Sequence, residues 1–331
     1  MIDLSVIIPT HQRNGSLKTL LLALEEQSLP PSRYEVVVAV DGQVAETVSL
    51  LRTLQPSYRL HWLVGSSQGP GAARNRGVAM ARGRLLLFLD DDMLPAPELL
   101  ATHLHAHADH ASRLGLGQVR VWPRQPLSAW ERYLNDQFET HYDKMACPDH
   151  QPTFWDCLSG NLSLTRQLFL GSGGFDPVFG QGKHEDIELG YRLHALGVQF
   201  HYLPEALSYH RFAKSQAAGL RDSRRNGASS LQFVRRFPEL FPQLLQARWQ
   251  RYPWSMRRLL AAVLPLPGQR RRLARQAALA LAWIERSSTP GHWRRPVYRL
   301  AYHLHFWQGL AQVAEAQELH ELLLRLRRRS A

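Results

Sequence analysis

The run Arg84-Leu85-Leu86-Leu87-Phe88-Leu89-Asp90-Asp91-Asp92 decides how the rest of the chain is read. Five consecutive apolar residues predict a strand buried on both faces, as in parallel sheets covered by helices on each side. Three carboxylates follow where that strand should end, and open α/β sheets bind their ligands outside the carboxyl ends of their strands. Adjacent acids repel one another unless a cation lies among them, and their hard oxygens suit Mg2+ or Mn2+. Such an ion commonly also holds a phosphate. The plainer alternative is a polar loop leading into the next helix, since Pro95 and Pro97 follow closely.

Outward from that run, the first hundred residues alternate strand and helix. Leu4–Thr10 predicts a first strand, residues 15–28 an amphipathic helix, and Glu35–Val40 a second strand ending at Asp41-Gly42. Leu60–Val64 predicts a third strand, and Ala72–Ala81 a helix that leads into the central run. Repeated βα units of this length imply an α/β fold with a mostly parallel central sheet flanked by helices. Three strands then end in polar residues able to reach one cleft: Thr10, Asp41 and the Asp90–Asp92 triplet. Farther on, Leu114–Trp122 predicts a strand, 126–146 a helix, and Phe154–Leu164 an extended segment. Glu185–Leu196 predicts a helix ended by Gly197, and Val198–Tyr209 a strand. From 213 onward helical patterns dominate, broken by Pro238, Pro242, Pro253, Pro265 and Pro267.

A chain of 331 residues can bury a large core in one domain or two. Its two cysteines, Cys147 and Cys157, cannot build a disulfide framework or a four-thiolate zinc site. Met1-Ile2-Asp3 lacks the basic start of a signal peptide, and no apolar run approaches the roughly 20 residues that span a bilayer. A cytoplasmic protein, peripheral at the inner face of the membrane at most, is therefore expected. The net charge of +12 is uneven. Residues 211–331 hold 23 Lys/Arg against 6 Asp/Glu, a net +17, whereas residues 1–210 hold 17 against 22, a net −5. The basic half predicts an anionic partner such as a membrane surface, nucleic acid or a charged glycan.

Several short motifs could carry chemistry. Gly65-Ser66-Ser67-Gln68-Gly69-Pro70-Gly71-Ala72-Ala73-Arg74-Asn75-Arg76-Gly77 stands at a strand-to-helix turn, where glycines let the backbone approach a phosphate. It is not a dinucleotide-binding fingerprint, which needs a third glycine where Arg74 stands. Residues 171–182 are glycine-rich and predict a mobile loop able to close over a ligand. Glu185 and Asp186 follow, where a carboxylate gains from the helix dipole and can serve as a general base. An acidic helix cap is the ordinary alternative. His184-Glu185 with Glu188 is not the metalloprotease H-E-x-x-H. His103, His107 and His110 share a helical face, which reads as solvated rather than metal-binding.

Taken together and in this order, these pieces resemble a family 2 glycosyltransferase with the GT-A nucleotide-diphospho-sugar transferase fold, over roughly residues 3–212. The matching residues are Val6-Ile7-Ile8-Pro9-Thr10 with Arg13, Val40-Asp41-Gly42, the Gly69–Gly77 turn, Phe88–Asp92, Ser159-Gly160-Asn161, Gly173-Gly174-Phe175-Asp176, and Glu185-Asp186 with Glu188-Leu189-Gly190-Tyr191-Arg192-Leu193. The resemblance implies a GT-A domain over 1–212, with a nucleotide-binding half (1–110) and an acceptor and catalytic half (111–212). A basic helical region, 213–331, follows.

By position the resemblance assigns Pro9, Thr10, Arg13 and Asp41 to the nucleoside, with Asp41 accepting from the base. Gly71 and Arg74 serve the nucleotide or its pyrophosphate. Asp90 and Asp91 lie near ribose and sugar, Asp92 is the direct ligand of Mn2+ or Mg2+, and His210 completes the metal site. Asp186 is the catalytic base, with Glu185 beside it. Trp155, Asp156 and Asn161 line the donor-sugar and acceptor pocket. The implied reaction is an inverting displacement on a nucleotide-diphospho-sugar, expected to be UDP-linked, by a glycan, lipid or small-molecule acceptor. It needs one carboxylate base rather than the carboxylate pair of glycosidases.

Residues 213–331 match no known pattern. Trp254–Leu266, followed by Arg270–Arg272, mixes aromatic, apolar and arginine residues as a helix on an anionic membrane surface would. An ordinary helical subdomain with arginines on its wet face accounts for it equally. Two other functions compete with the transferase: a Mg-dependent nucleotidyltransferase or phosphohydrolase using the triplet, and a non-catalytic anionic-surface binding protein. No zinc finger or other nucleic-acid motif supports a specific reader.

Overall fold

The apolar runs of the first ninety residues become the parallel half of one sheet. A computed structural model describes residues 2–108, 112–123, 126–180, 183–211, 214–286 and 291–327, with the backbone alone at Glu285 and at 291–293. The chain divides into two compact units. The first comprises Met1–Pro126, Asn135–Gln181 and Glu185–Phe212, and the second Leu127–Leu134, Gly182–His184 and Ala213–Ala331.

In the first unit, β1 (Leu4–Thr10), α1 (Asn14–Ala23), β2 (Tyr34–Asp41), α2 (Ala45–Thr53), β3 (Arg59–Gly65), α3 (Pro70–Met80) and β4 (Leu85–Leu89) follow in order. Every residue of β1, β2 and β4 is buried, as expected of strands covered on both faces. Beyond them come β5 (Met93–Pro95), α4 (Leu99–Ala106), β6 (Arg113–Val121), α5 (Ala129–Met145, which the first unit holds from Asn135 on), β7 (Asn161–Thr165), α6 (Arg166–Gly171), α7 (Glu185–Ala195) and β8 (Gln199–His210). The eight strands form one sheet in the order β3-β2-β1-β4-β7-β6-β8-β5. Strands β3, β2, β1 and β4 pair in parallel, whereas β7 runs antiparallel to both β4 and β6, and β5 antiparallel to β8. The sheet is thus mixed beyond β4.

That order matters for the site. From β1 the chain moves outward to β2 and β3, then returns to place β4 on the other side of β1. Between β1 and β4 lies a topological switch point, where the carboxyl ends of adjacent strands leave a crevice. Short β5 pairs Met93 with His210, which brings the end of β8 beside Asp92.

Three predicted elements differ in outcome. The first helix ends at Ala23 rather than 28. Phe154–Leu164 is not one extended segment: Phe154–Asp156 form a 3-10 turn before β7 begins at Asn161. The cause is a capping box, in which Thr153 and Asp156 satisfy each other's backbone. The histidine face of α4 is buried rather than solvated, and His110 lies outside the described residues. His103 Nε2–H donates to Asn161 Oδ1 (2.9 Å), Ser163 Oγ–H donates to His103 Nδ1 (2.7 Å), and His107 Nε2–H donates to Ser163 Oγ (2.9 Å). This arrangement suits a neutral His103, whereas His107 Nδ1 finds no hydrogen-bond partner among the described residues. Burial pulls His103 down to about 4 and His107 to about 3, the latter aided by nearby His103, Arg113, Arg84 and His201.

The second unit is helical: α8 (Gln216–Arg236), α9 (Ala247–Gln250), α10 (Trp254–Val263), α11 (Pro267–Arg286), α12 (Gly291–Val313) and α13 (Ala316–Arg327). The prolines act as helix starters, Pro253 capping α10 and Pro267 opening α11. Trp130, Trp249, Tyr298, Phe306, Trp307 and Leu310 form its core. Helices α8 and α12 cross closely because Ser223, Gly227 and Ser230 repeat on one face of α8, and Gly309 answers from α12. A Cβ on Gly227 would collide with the Phe306 carbonyl, and one on Gly309 with that of Arg224.

Two outcomes follow from this packing. Gly227→Ala should destabilise the chain by about 1–3 kcal/mol, read as a lowered urea midpoint with an unchanged slope. The unfolded chain takes up protons on His103 and His107 from about pH 6.5, whereas the folded chain does so only near 4 and 3. Folding stability is therefore full above pH 6.5 and falls as pH drops toward 4. Urea titrations across that range should show a steeper acid loss in the wild type than in His107→Gln.

Candidate active site

Thr10 ends β1 and the acids follow β4, so the switch point brings them together: Thr10 Oγ1 donates to Asp91 Oδ2 at 2.7 Å. Arg13, just past β1, donates from Nη1 to Asp91 Oδ1 (3.1 Å) and to Asp92 Oδ2 (2.5 Å). Between them Gln12 holds a positive φ of 54°, a conformation that non-glycine residues adopt mainly at constrained sites. Pro9 lies in β1, pairing with Ala39 of β2.

Each acid of the triplet has a basic side chain beside it, Arg13 being shared by Asp91 and Asp92. Arg74, buried in α3, donates from Nη2 to Asp90 Oδ1 (2.5 Å) and places Nη1 3.7 Å from Glu185 Oε1, with Phe175 under its guanidinium. Its Nε and Nη1 find no hydrogen-bond partner among the described residues. Gly71, one helical turn earlier, leaves no room for more: a Cβ there would stand 3.2 Å from that of Phe175. Asp91 is buried, and burial pushes its carboxyl up to about 6 against the pull of Arg13. For Asp92, burial acts upward too, but the hydrogen bond and charge of His210, with Arg13, outweigh it and hold the carboxyl down at about 2.

His210 Nε2 lies 3.2 Å from Asp92 Oδ2. Two neighbouring ligands of one divalent ion, at bonds of roughly 2.1 Å and right angles, would be about 3 Å apart, so this pair fits such an ion. Among the described residues no group of three or more His, Cys, Asp or Glu gathers into a metal cage.

Asp41 ends β2, and both its oxygens hold the glycine turn. Oδ1 accepts from the Gln68 amide (3.0 Å) and Arg76 Nη2 (3.0 Å), and Oδ2 from the Gly69 amide (2.9 Å). Asp186 sits in the first turn of α7, half-buried, with Oδ2 facing the Ser159 amide at 3.4 Å. Gly160 next to Ser159 accepts from the Asp90 amide at 3.3 Å, so Asp186 and the triplet flank the same turn. Trp155 stacks on Phe154 in the 3-10 turn. Asp156 and Asn161 point inward instead. Asp156 accepts from Thr153 and His150, while the Asn161 amide donates to the carbonyls of Gln118 and Ala206.

The glycine-rich stretch expected to be mobile is fastened over its described residues. Arg192, paired with buried Glu188 at 2.7 Å, donates to the carbonyls of Ser172 and Gly174. Asn75 bonds both the amide and the carbonyl of Phe175, at 2.9 and 2.8 Å. Sequence reading missed these supports, although the i,i+4 spacing of Glu188 and Arg192 was a usable signal. A separate cavity of about 570 Å3, lined by Met145, His150, His194, Phe200, His201 and Tyr202 among others, contains none of the candidate residues.

Residues 5–168 match the family model described as glycosyl transferase family 2. The chain is 32% identical to validoxylamine A glucosyltransferase of Streptomyces hygroscopicus subsp. limoneus, over 74% of this chain and 59% of that protein. It is 26% identical to the uncharacterized glycosyltransferase YfnE of Bacillus subtilis (strain 168), over 67% of this chain and 68% of that one. The chain thus spans about three fifths of the length of the validoxylamine A enzyme. Among solved structures, the mannosyltransferase PcManGT from Pyrobaculum calidifontis, in complex with GDP-Man and Mn2+, superposes with a TM-score of 0.59. It is 20% identical, covers 94% of this chain and 86% of its own, and shares the fold.

Arg74→Met would take from Asp90 its hydrogen-bonded guanidinium and from Glu185 a nearby positive charge. It should cost about 3 kcal/mol in urea unfolding, and Glu185→Gln in the same chain should recover part of that loss.

Proposed function

We propose, from the premise that this chain belongs to glycosyl transferase family 2, that it transfers a sugar from a nucleoside-diphosphate donor to an acceptor hydroxyl with inversion at the anomeric carbon. The observation that carries this reading is the meeting of Asp92 and His210 at 3.2 Å beside the Asp90–Arg74 pair, with Asp186 across the Ser159–Gly160 turn. Family membership does not favour the nucleotidyltransferase, phosphohydrolase or non-catalytic alternatives.

Asp92 and His210 would hold a divalent cation, and Mn2+ in the PcManGT complex supports that choice. Such an ion, when bound, would neutralise charge developing on the departing diphosphate. The chain's own residues account for the rest. Arg13, released from Asp92, would turn its guanidinium to the phosphates, for which its planar fork is suited. Arg74 would hold Asp90 in place beside the donor, with Nε and Nη1 as further N–H groups on the same guanidinium. Asp41 acts by shaping the Gln68–Gly69 turn and, through the lone pair left on Oδ2, can accept from the base. Gly71 admits the pyrophosphate to the start of α3.

Asp186 would take the proton of the acceptor hydroxyl as its oxygen bonds to the anomeric carbon. The bond from that carbon to the diphosphate oxygen breaks, and its electron pair leaves with the nucleoside diphosphate. One base and one good leaving group suffice, so Glu185 is assigned to hold Arg74 rather than to react. Trp155 is the candidate platform for a sugar face. The donor is proposed to be UDP-linked, and GDP belongs in the test because PcManGT was solved with GDP-Man.

Calorimetric titration of nucleoside diphosphates, with and without Mn2+, tests the binding half. One nucleotide should bind in the micromolar range, and removing Mn2+ or introducing Asp92→Asn should weaken it at least about tenfold. Asp186→Asn should bind that nucleotide as the wild type does and lose about 10²–10⁴ in kcat. Metal-independent binding throughout the panel, or an active Asp186→Asn, would contradict the proposal.

A further inference from the structure

Two neighbouring helices of the second unit, α10 and α11, carry a surface that the sugar-transfer reading does not use. Seven arginines lie between Trp254 and Arg286, the last included, against a single acid, Glu285. Their inward faces are ordinary core: Leu260, Leu264, Ala274, Ala277, Leu281 and Ile284 are buried. Their outward faces are not ordinary. Trp254 is 61% exposed, Leu266 44%, Leu279 61% and Trp283 69%.

The exposed apolar residues alternate with arginines rather than replacing them. On α11, Arg272, Gln276, Leu279, Trp283 and Arg286 are all exposed at spacings of three and four, so they form one stripe. On α10, Arg258 stacks its guanidinium 4.0 Å over the Trp254 ring. An arginine-rich polar face would need no tryptophan, and an ordinary wet helix would expose neither two indoles nor Leu279.

We propose that the outward face of α10 and α11 docks on an anionic lipid surface. Indole rings favour the boundary between headgroups and acyl chains, where their apolar body and N–H are both accommodated. Leu266 and Leu279 enter the same layer, and arginines bury their stems while keeping their charge at the phosphates. Charge complementarity selects lipid carrying net negative charge, which attracts each basic group near the surface. The helices lie on the surface rather than cross it, since no helix among the described residues is long and apolar enough to span a membrane. Nucleic acid would satisfy the arginines but not Leu266 and Leu279, and a second copy of this arginine-rich face would be repelled by the first.

Co-sedimentation of the full chain with vesicles tests this directly. Binding to phosphatidylcholine vesicles containing about 30% phosphatidylglycerol should exceed binding to pure phosphatidylcholine at least about tenfold, with a blue shift of tryptophan emission. Leu279→Ser with Trp283→Ser should lower that binding about tenfold, and Arg271→Glu with Arg272→Glu should remove the preference for anionic lipid. All four positions are away from the core, so unfolding midpoints should stay near wild type and separate lost docking from lost folding. Equal binding to neutral vesicles, no binding, or full binding by both variants overturns the proposal. A chain that ignores vesicles but forms a dimer, or binds duplex DNA, through these same residues also overturns it and names the other occupant.

Discussion

Three consecutive carboxylates at the end of a buried strand repel one another and lose hydration, so the fold must bring basic side chains to them. The chain answers with three separate side chains from three different places: Arg74 from α3, Arg13 from the turn after β1, and His210 from the end of β8. Each depends on a topological decision. Arg13 reaches the acids because β4 pairs with β1 rather than extending the sheet past β3, and His210 because the three residues of β5 pair with β8. The central sheet order can therefore be viewed as the means of assembling one compensated cluster of charge.

The basic side chains of the cluster differ in exposure. Arg13 is about half exposed yet occupies Asp92, so it is the cation most easily exchanged for another. Arg74 is fully enclosed and also holds Glu185, so it is the fixed one. Behind the cluster, the neutral chain His107–Ser163–His103–Asn161 ties α4 to β7 and, through the Asn161 amide, to the carbonyls of Gln118 and Ala206. The uncharged polar network supports the wall of the site without adding charge to it. The second unit solves a different problem, burying three tryptophans by letting α8 and α12 approach at Gly227 and Gly309.

Much of the sheet was legible because buried parallel strands advertise themselves as apolar runs. Leu85–Leu89 and Leu4–Thr10 fall where those runs predict. The polar residues ending them pointed to the crevice, because strand order puts Thr10 beside Asp91. Elements without a run of their own were missed: β5 is three residues with a proline, and the turn at Phe154–Asp156 is set by a capping box inside an apolar stretch. His103 and His107 misled because helical spacing shows which residues share a face, not whether that face looks inward. Asp156 and Asn161 show a related limit, since motif position does not reveal that their polar atoms serve Thr153, His150 and backbone carbonyls. The exposed indoles of Trp254 and Trp283 likewise needed coordinates to be told from core tryptophans such as Trp249.

The central claim is that Arg13 stands where a metal-bound donor belongs, with Asp92 and His210 as the protein's share of the ion. Anomalous diffraction at the manganese edge, from crystals holding Mn2+ and the nucleoside diphosphate that binds, tests it most directly. The account predicts one manganese peak within ligand distance of both Asp92 and His210, with Arg13 moved off Asp92 onto phosphate. A peak elsewhere, or Arg13 still bonded to Asp92 beside a bound nucleotide, would contradict it.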